Sequence, residues 1–439
     1  MKEELCYYEV APSVVPVGRP VRVTLRPKGQ HAAFSGGVFG IVPVPLDIGC
    51  DITENTPWYE GLHIPEIRAE SRDGTLTFEH AFEAEGEYKL LIGRPGEEKA
   101  WLALRIYALC DDLYALRPYK LETHSHSCRS DGAESPEFLA AYYRQRGYDA
   151  MALTDHGRYD PSLEAIAALD GAGGDFAVFP GEEVHLPGNP VHIVNFAGSQ
   201  SVNKLANADI DGWKSHIREL AGRLSIPDGV DPFRFAACVW TADRIREFGG
   251  AAVLCHPAWG GYAYGNESCY TVPEALFFGL LRAGCFDAWE LFGWRHERNN
   301  LQMRLFVEAA RQGLDTPVLG ANDSHGVAKN LQWFDVAFTI ALSPDGSRES
   351  LVSAIRRGLC AAVENQPGAA PFAMGPHRLV PYARFLLDNY YLLYERLAAH
   401  EGYILQERAA GNRIEPGEMQ LAGRRRKAFT DRFFVGVDR

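Results

Sequence analysis

The chain has 439 residues, 46% of them hydrophobic, and a formal net charge of −13. That length suits two or three folding units, and the acidic balance excludes a general nucleic-acid-binding surface; the one dense basic run, Arg424-Arg425-Arg426-Lys427, reads as a solvated tail. Nine scattered cysteines without a Cys-x-x-Cys exclude a disulfide framework, and the lack of a signal-type amino terminus or a spanning apolar stretch leads to the expectation of a cytoplasmic protein with no membrane partner.

In residues 1–112, Val21, Val23 and Leu25 alternate with polar residues as in a half-buried strand, and Leu76 and Phe78 continue the pattern. Tyr88, Leu90 and Ile92, then Leu102, Leu104 and Ile106, flank Arg94-Pro-Gly, the signature of a hairpin with a Pro-Gly turn. The predicted unit is an N-terminal antiparallel β-sandwich, serving as a packing module, a ligand-binding or substrate-selecting domain, or a dimer contact.

From residue 113 to 365 the texture changes to short apolar runs, each carrying or leading into a ligand-type side chain. Tyr119–Leu121 leads to His124 and His126, with Asp131 in the loop beyond; Met151–Leu153 leads to His156; Phe176–Phe179 leads to Glu183. Val191–Phe196 contains His192, Ala251–Leu254 leads to His256, and Pro317–Leu319 leads to Asp323 and His325. Buried parallel strands read as such runs, and a barrel of them gathers catalytic groups at its carboxyl ends. Between them, Trp213–Leu224 and Thr241–Phe248 are predicted helices separated by a loop over 226–232. The aromatic stretch Trp259-Gly-Gly-Tyr-Ala-Tyr-Gly265 follows His256 closely enough to stack on a base or sugar.

After Val363, Gln366–Pro371 reads as a linker. Tyr382, Leu386, Tyr390, Leu393 and Leu397 then recur at helical spacing. That stripe must be covered, by the rest of the chain or by a second copy in a homo-oligomer. From Ala409 onward the chain is polar and basic and is expected to be partly disordered.

The donor chemistry is specific as a set. His124 and His126 are two residues apart, so both point to one side of an extended chain, and Asp323 and His325 repeat that spacing. Mixed imidazole and carboxylate donors suit Mn, Zn or Fe, and nine donors at three or four per ion provide for two or three divalent metal ions. Each piece alone has an ordinary reading: hydrogen-bonded histidines, a turn at Thr154-Asp155-His156, an acidic loop at Pro180–Glu183, a strand end at Cys255-His256-Pro257. All of those would have to hold together, in order.

These motifs resemble the PHP (polymerase and histidinol phosphatase) superfamily over roughly residues 116–365. The resemblance implies a distorted (β/α)7 barrel with a trinuclear metal centre. It assigns one ion to His124, His126, Glu183 and Asp323, a second to Glu183 as a bridge with His192 and His256, and a third to Asp131, His156 and His325. Glu182 competes with Glu183 for the bridge, and His185 with His192. The activity implied is metal-dependent hydrolysis of a phosphate ester, with a small phosphorylated metabolite, nucleotide or short oligonucleotide as substrate. Asp155 is then a candidate general acid. Arg129, Arg158, Arg295 and His296 are candidate phosphate contacts, and Glu290, at the end of Phe286–Trp289, a candidate substrate contact. The alternatives are an amidohydrolase-like metal enzyme acting on a non-phosphate bond, against which the missing bridging lysine counts, and a non-enzymatic metal-containing binding module.

Overall fold

Alternating apolar residues near the amino terminus build strands with one buried face. In the computed structural model, which describes residues 3–47, 66–95, 100–263, 266–294, 296–327, 334–415 and 417–436, these strands are β1 (Tyr8–Ala11), β2 (Val14–Pro16), β3 (Val21–Pro27), β4 (Val38–Pro45), β5 (Ile67–Glu70), β6 (Leu76–His80), β7 (Gly86–Gly93) and β8 (Leu102–Leu109). They form two sheets, ordered β1-β3-β6 and β2-β8-β7-β4-β5. The register Tyr88↔Ile106, Leu90↔Leu104, Ile92↔Leu102 pairs the two runs of the expected hairpin. Its Pro95-Gly96 turn extends beyond the described residues. Val23, Leu25 and Phe78 of one sheet share a buried core with Ile41, Leu90 and Leu104 of the other. The pairing is not wholly antiparallel. The chain crosses from one sheet to the other at Pro12-Ser13, which lays β2 parallel to β8.

The chain forms two compact units: the first is Met1–Leu116 with Pro381–Leu397 and Arg424–Arg439, the second Arg117–Val380 with Ala398–Gly423. Within the first unit the expected helical stripe is covered by the chain itself. Tyr382 and Phe385 pack on Tyr107 of β8 at ring distances of 5.0 and 5.3 Å, and Tyr390 stacks on Phe429 at 5.5 Å. The expected disordered tail is corrected here: Glu418–Phe434 is a helix, anchored by buried Phe433 and Phe434. The basic run lies in that helix, with Arg426 buried and set over the Tyr394 ring. Phe429, three positions beyond Arg426, and Phe433 and Phe434 one to two turns further on supply the apolar face that a solvated tail would lack.

The second unit contains β9 (Arg117–Glu122), β10 (Ala150–Ala152), β11 (Ala177–Phe179), β12 (Gly181–Leu186), β13 (Asn189–Phe196), β14 (Ala251–Leu254), β15 (Gly260–Ala263), β16 (Asn266–Tyr270), β17 (Ala288–Phe292), β18 (Val318–Gly320), β19 (Ala337–Ser343), β20 (Cys360–Glu364) and β21 (Phe372–Met374). Its two larger sheets run β11-β10-β9-β19-β20-β21 and β12-β13-β14-β17-β18. Every apolar run singled out in the sequence contributes to a strand, but the strands are not all parallel. β9, β10 and β11 are parallel, as are β14, β17 and β18. β13 is antiparallel to both its neighbours, because only Pro187-Gly188 separates it from β12, too short for a crossover. β19 runs antiparallel to β9.

The sheets meet near both edges. Glu183 N donates to Thr154 O at 3.1 Å, and Gly157 N donates to Glu183 O at 2.8 Å. At the other edge Gly320 N donates to Thr339 Oγ1, which donates back to Gly320 O. Helices pack outside. Ile210–Ala221 matches the expected helix, but Pro232–Glu247 starts nine residues before the predicted Thr241. Asp231 Oδ1 accepts from Phe233 N and Arg234 N, and Pro232 occupies the first helical position, where its missing N–H costs nothing. A proline that looked like a loop residue was a helix start.

The same unit buries an ion pair between helices. Arg144 Nε and Nη2 donate to Glu401 Oε2 at 2.9 and 2.5 Å, and Nη1 donates to Tyr148 O at 2.8 Å. Glu401→Ala removes the closest carboxylate from that buried guanidinium while Asp149 Oδ1 stays 3.5 Å from Nη1, and is expected to cost about 1.5–3 kcal/mol, the range for a hydrogen bond to a charged group, read as a lower denaturation midpoint. A shift within the range of surface pairs, below about 1 kcal/mol, would contradict it.

Candidate metal centre

The strand ends bring the expected donors together. His124 and His126 follow β9, where His126 N donates to Ser324 O at 2.8 Å and ties this segment to the one carrying Asp323 and His325. His156 follows β10 and is bridged in parallel to Glu183 of β12. His192 stands on β13, and His256 follows β14. Two motif glycines make the convergence possible. A Cβ at Gly132 would lie 2.2 Å from His126 O, so the loop carrying Asp131 lies hard against the His126 backbone; one at Gly181 would lie 2.9 Å from Leu153 O.

Glu183 lies at the middle, fully buried. Its Oε1 is 2.7 Å from His192 Nδ1 and 3.4 Å from His256 Nε2. Its Oε2 is 2.5 Å from His156 Nδ1, 3.5 Å from His124 Nε2 and 3.6 Å from His126 Nε2. The two oxygens thus face two separate groups of imidazoles, the arrangement a bridging carboxylate needs. Asp323 Oδ1 lies 3.0 Å from His126 Nε2 and 3.4 Å from His124 Nε2. Asp131 reaches His156 Nε2 at 3.5 Å and His325 Nε2 at 3.3 Å. Among the described residues, donor groups able to hold a metal ion are His124, His126 and Asp323; His126, Asp131, His156 and His325; His124, Glu183, Cys255 and His256; and His156, Glu183 and His185.

The residues fit metal ions on internal grounds. Glu183 Oε2, His126 Nδ1, His192 Nδ1 and His256 Nδ1 are buried with no hydrogen-bond partner, although Glu183 Oε2 and His192 Nδ1 lie within ion-pair distance of partners. Lone pairs crowded together but not aligned on protons are what a set of ligands presents. Burial would raise the Glu183 carboxyl, but His192 and His124 hold it well below its ordinary value. Burial drives His126 down to about 4, leaving a neutral imidazole. His156 is opposed by burial yet raised to about 10 by Asp131 and Glu183, so cation binding there displaces a proton.

Backbone strain marks two donors. His256 has φ +22° and Asp323 φ +49°, conformations costing on the order of 1–3 kcal/mol each that persist only where surroundings dictate them. Glu290 helps dictate the first: its Oε2 accepts from His256 N at 2.8 Å, while Oε1 lies 2.7 Å from His124 Nδ1.

The other sequence candidates are placed differently from the donors. Glu290 is buried behind His124 and His256. Asp155 is fully buried and accepts from Ser127 N, Ser127 Oγ and Ser130 Oγ, which fastens the loop leading to Asp131. Arg129 pairs with Glu164, and Arg158 donates to Arg129 O. His296 Nδ1 lies 2.6 Å from Glu364 Oε1. Arg295, Tyr264 and the side chain of Tyr262 lie outside the described residues. Glu182, the rival bridge, is engaged by Ser201, Val202 N and Asn203 at the start of the helix Val202–Asn207.

Sequence reasoning missed Trp294 and Arg298, and gave Trp259 a stacking role without placing it against the donors. Trp294 Nε1 donates to Asp323 Oδ2 at 3.1 Å. Trp259 lies against His192 and His256 at ring distances of 5.5 and 5.7 Å. Arg298 donates to Ala258 O and joins both tryptophans around a cavity of about 20 Å³ beside His256 and Asp323. Trp259, three residues after His256, is the one of the three that the sequence singled out, in the stretch expected to stack on a base or sugar.

No protein-family model matches the chain, and no curated protein does. Among solved structures it is similar to a two-domain protein from Bacteroides vulgatus described as containing a PHP-like metal-dependent phosphoesterase, at 18% identity and TM-score 0.43, over 62% of this chain and 71% of that one. It is also similar to a protein from Bifidobacterium adolescentis described as a metal-dependent phosphoesterase, at 18% identity and TM-score 0.32, over 54% and 94%. A third is an amidohydrolase from Chromobacterium violaceum with bound sulfate and no metal, at 20% identity and TM-score 0.32, over 48% and 88%. At such scores the likeness adds nothing to the donor geometry, which stands by itself. Among the described residues no helix is long and apolar enough to cross a membrane.

Proposed function

We propose that the protein is a metal-dependent hydrolase of phosphate esters, acting on a small phosphorylated metabolite, nucleotide or short oligonucleotide. The observation that carries this reading is Glu183, buried, with one oxygen toward His192 and His256 and the other toward His124, His126 and His156. His124, His126, Glu183 and Asp323 would hold one ion, Glu183, His192 and His256 a second, and Asp131, His156 and His325 a third. Two or three divalent ions so held, Mn, Zn or Fe, supply an activated water and neutralise charge on the phosphoryl group. The chain's part is positioning. Glu290 fixes His124 and the His256 backbone, Asp155 fixes the Asp131 loop, and Trp259 and Trp294 wall the centre with apolar surface that strengthens electrostatic attraction there.

The scaffold proposed is a distorted (β/α)7-type barrel formed by the two large sheets of the second unit, preceded by a β-sandwich over residues 1–112 and followed by a helical extension from 366. Support comes from the hydrogen bonds between the sheets at Thr154–Glu183 and Gly320–Thr339. The test is metal analysis of the purified protein with a panel of phosphomonoesters and phosphodiesters, with and without Mn. Two to three equivalents and Mn-stimulated phosphate release are expected. A full metal centre without phosphoester turnover would move the assignment to a non-phosphate bond.

A further inference from the structure

His185 stands two residues after Glu183 on β12, so both side chains leave the same face of the strand. The pairing of β12 with β13 shifts register between Val184 and Leu186, the extra residues lying on β13 between Asn189 and Ile193, and the locally disrupted ladder leaves His185 outside the regular pairing. The irregularity is fixed in place: His185 N donates to Asn203 Oδ1 at 3.1 Å, and Asn203 Nδ2 donates to Glu182 Oε2 at 3.0 Å. The imidazole so held meets the centre. Its Nε2 lies 2.9 Å from His156 Nδ1 and 3.4 Å from Glu183 Oε2, which is itself 2.5 Å from His156 Nδ1.

Three lone-pair-bearing atoms therefore form a triangle. His156 Nδ1 has one proton at most, so it cannot donate well to both Glu183 and His185, and Glu183 Oε2 has no hydrogen-bond partner. One cation satisfies all three. Donors at about 2.0–2.1 Å from a tetrahedral ion stand roughly 3.3 Å apart, so the triangle needs only a small expansion. We propose that His185 is a further metal ligand, holding an ion with Glu183 and with His156 through Nδ1; the His156 ring, whose Nε2 faces Asp131, then gives up its Nδ1 proton to solvent, and the Nε2 proton as well where that nitrogen also holds an ion, binding as a bridging imidazolate. This rests on the metal-hydrolase reading and adds a donor to the nine above. The side chain is 35% exposed, which leaves the ion open to solvent and to a substrate oxygen on that side.

The competing role is a hydrogen bond that merely orients His156. The two separate in the size of the effect. An outer hydrogen-bonding partner typically costs about 10–100-fold in metal affinity, whereas loss of a ligand costs more. Metal content and affinity are measured on the full chain in buffered free Mn and Zn, for the wild type, His185→Gln and His185→Asp, with thermal melts to establish folding. Glutamine keeps a hydrogen-bonding group and ligates poorly; aspartate restores a ligand. The expected result is that His185→Gln loses one equivalent, or binds one ion more than about 100-fold more weakly, and that His185→Asp recovers it. Wild-type stoichiometry and affinity in a folded His185→Gln would overturn the proposal while leaving the metal centre intact. A folded wild-type protein that takes up no metal would overturn the metal-hydrolase reading and this proposal with it.

Discussion

Glu183→Ala is expected to release at least two metal equivalents and to lower phosphoester turnover by more than about 10³-fold, beyond the roughly 10²–10³ that follows loss of one preorganised catalytic donor. The size follows from position. Six imidazoles, from His124, His126, His156, His185, His192 and His256, stand within 3.6 Å of its two oxygens, so one deletion removes negative charge from every donor group it touches. Without the carboxylate those neighbouring imidazoles have less reason to hold cations close together. Glu182→Ala is the matched control, because its carboxylate serves Ser201, Val202 N and Asn203 instead. That variant should lose stability, through unsatisfied groups at the buried start of the helix Val202–Asn207, and keep the ions bridged by Glu183, any effect on metal being confined to His185 through Asn203. Metal analysis of both folded variants decides the matter: full metal content in Glu183→Ala would remove the bridging assignment.

The donors were legible because ligand chemistry restricts residue type and strand geometry restricts spacing. His-x-His and Asp-x-His each put two groups on one side of an extended chain, and all nine expected donors come to one place. The Gly-x-Glu spacing that the resemblance implies favours Glu183 over Glu182, and a Cβ at that glycine would lie 2.9 Å from Leu153 O. Strand direction was not legible. Val191–Phe196 has the same apolar look whether its neighbours run parallel or antiparallel, and only the two-residue link after Leu186 reverses it. The polar support was hidden too. Nothing in the local sequence of Asp155 or Glu290 distinguishes a carboxylate facing substrate from one facing a loop or an imidazole, since that depends on partners 28 and 166 residues away. Likewise Arg426 looked solvated because the ring it lies over, Tyr394, is distant in sequence; Arg424, Arg425 and Lys427 are exposed.

Glu290→Gln is expected to weaken metal binding by about 10–100-fold with little change in fold, the range for a group that orients ligands from behind. Both oxygens are engaged in the wild type, one with His124 Nδ1 and one with His256 N. Glutamine offers a single acceptor, so either the His124 ring loses the partner that sets its tautomer or the His256 N–H is left facing an NH₂ group. The second loss bears on a residue held at φ +22°, whose strain must be offset by the contacts around it. Removing the charge also makes His124 a weaker electron donor toward any cation it binds. Titration against a chromophoric chelator reads the affinity directly. Thermal melts at fixed metal should show about 1.4–2.7 kcal/mol less metal-dependent stabilisation than wild type, the same fold-change expressed through binding linkage. If affinity and metal-dependent stabilisation both stayed at wild-type values while turnover fell, Glu290 would instead act on substrate. That outcome would require the buried carboxylate to become exposed during the reaction.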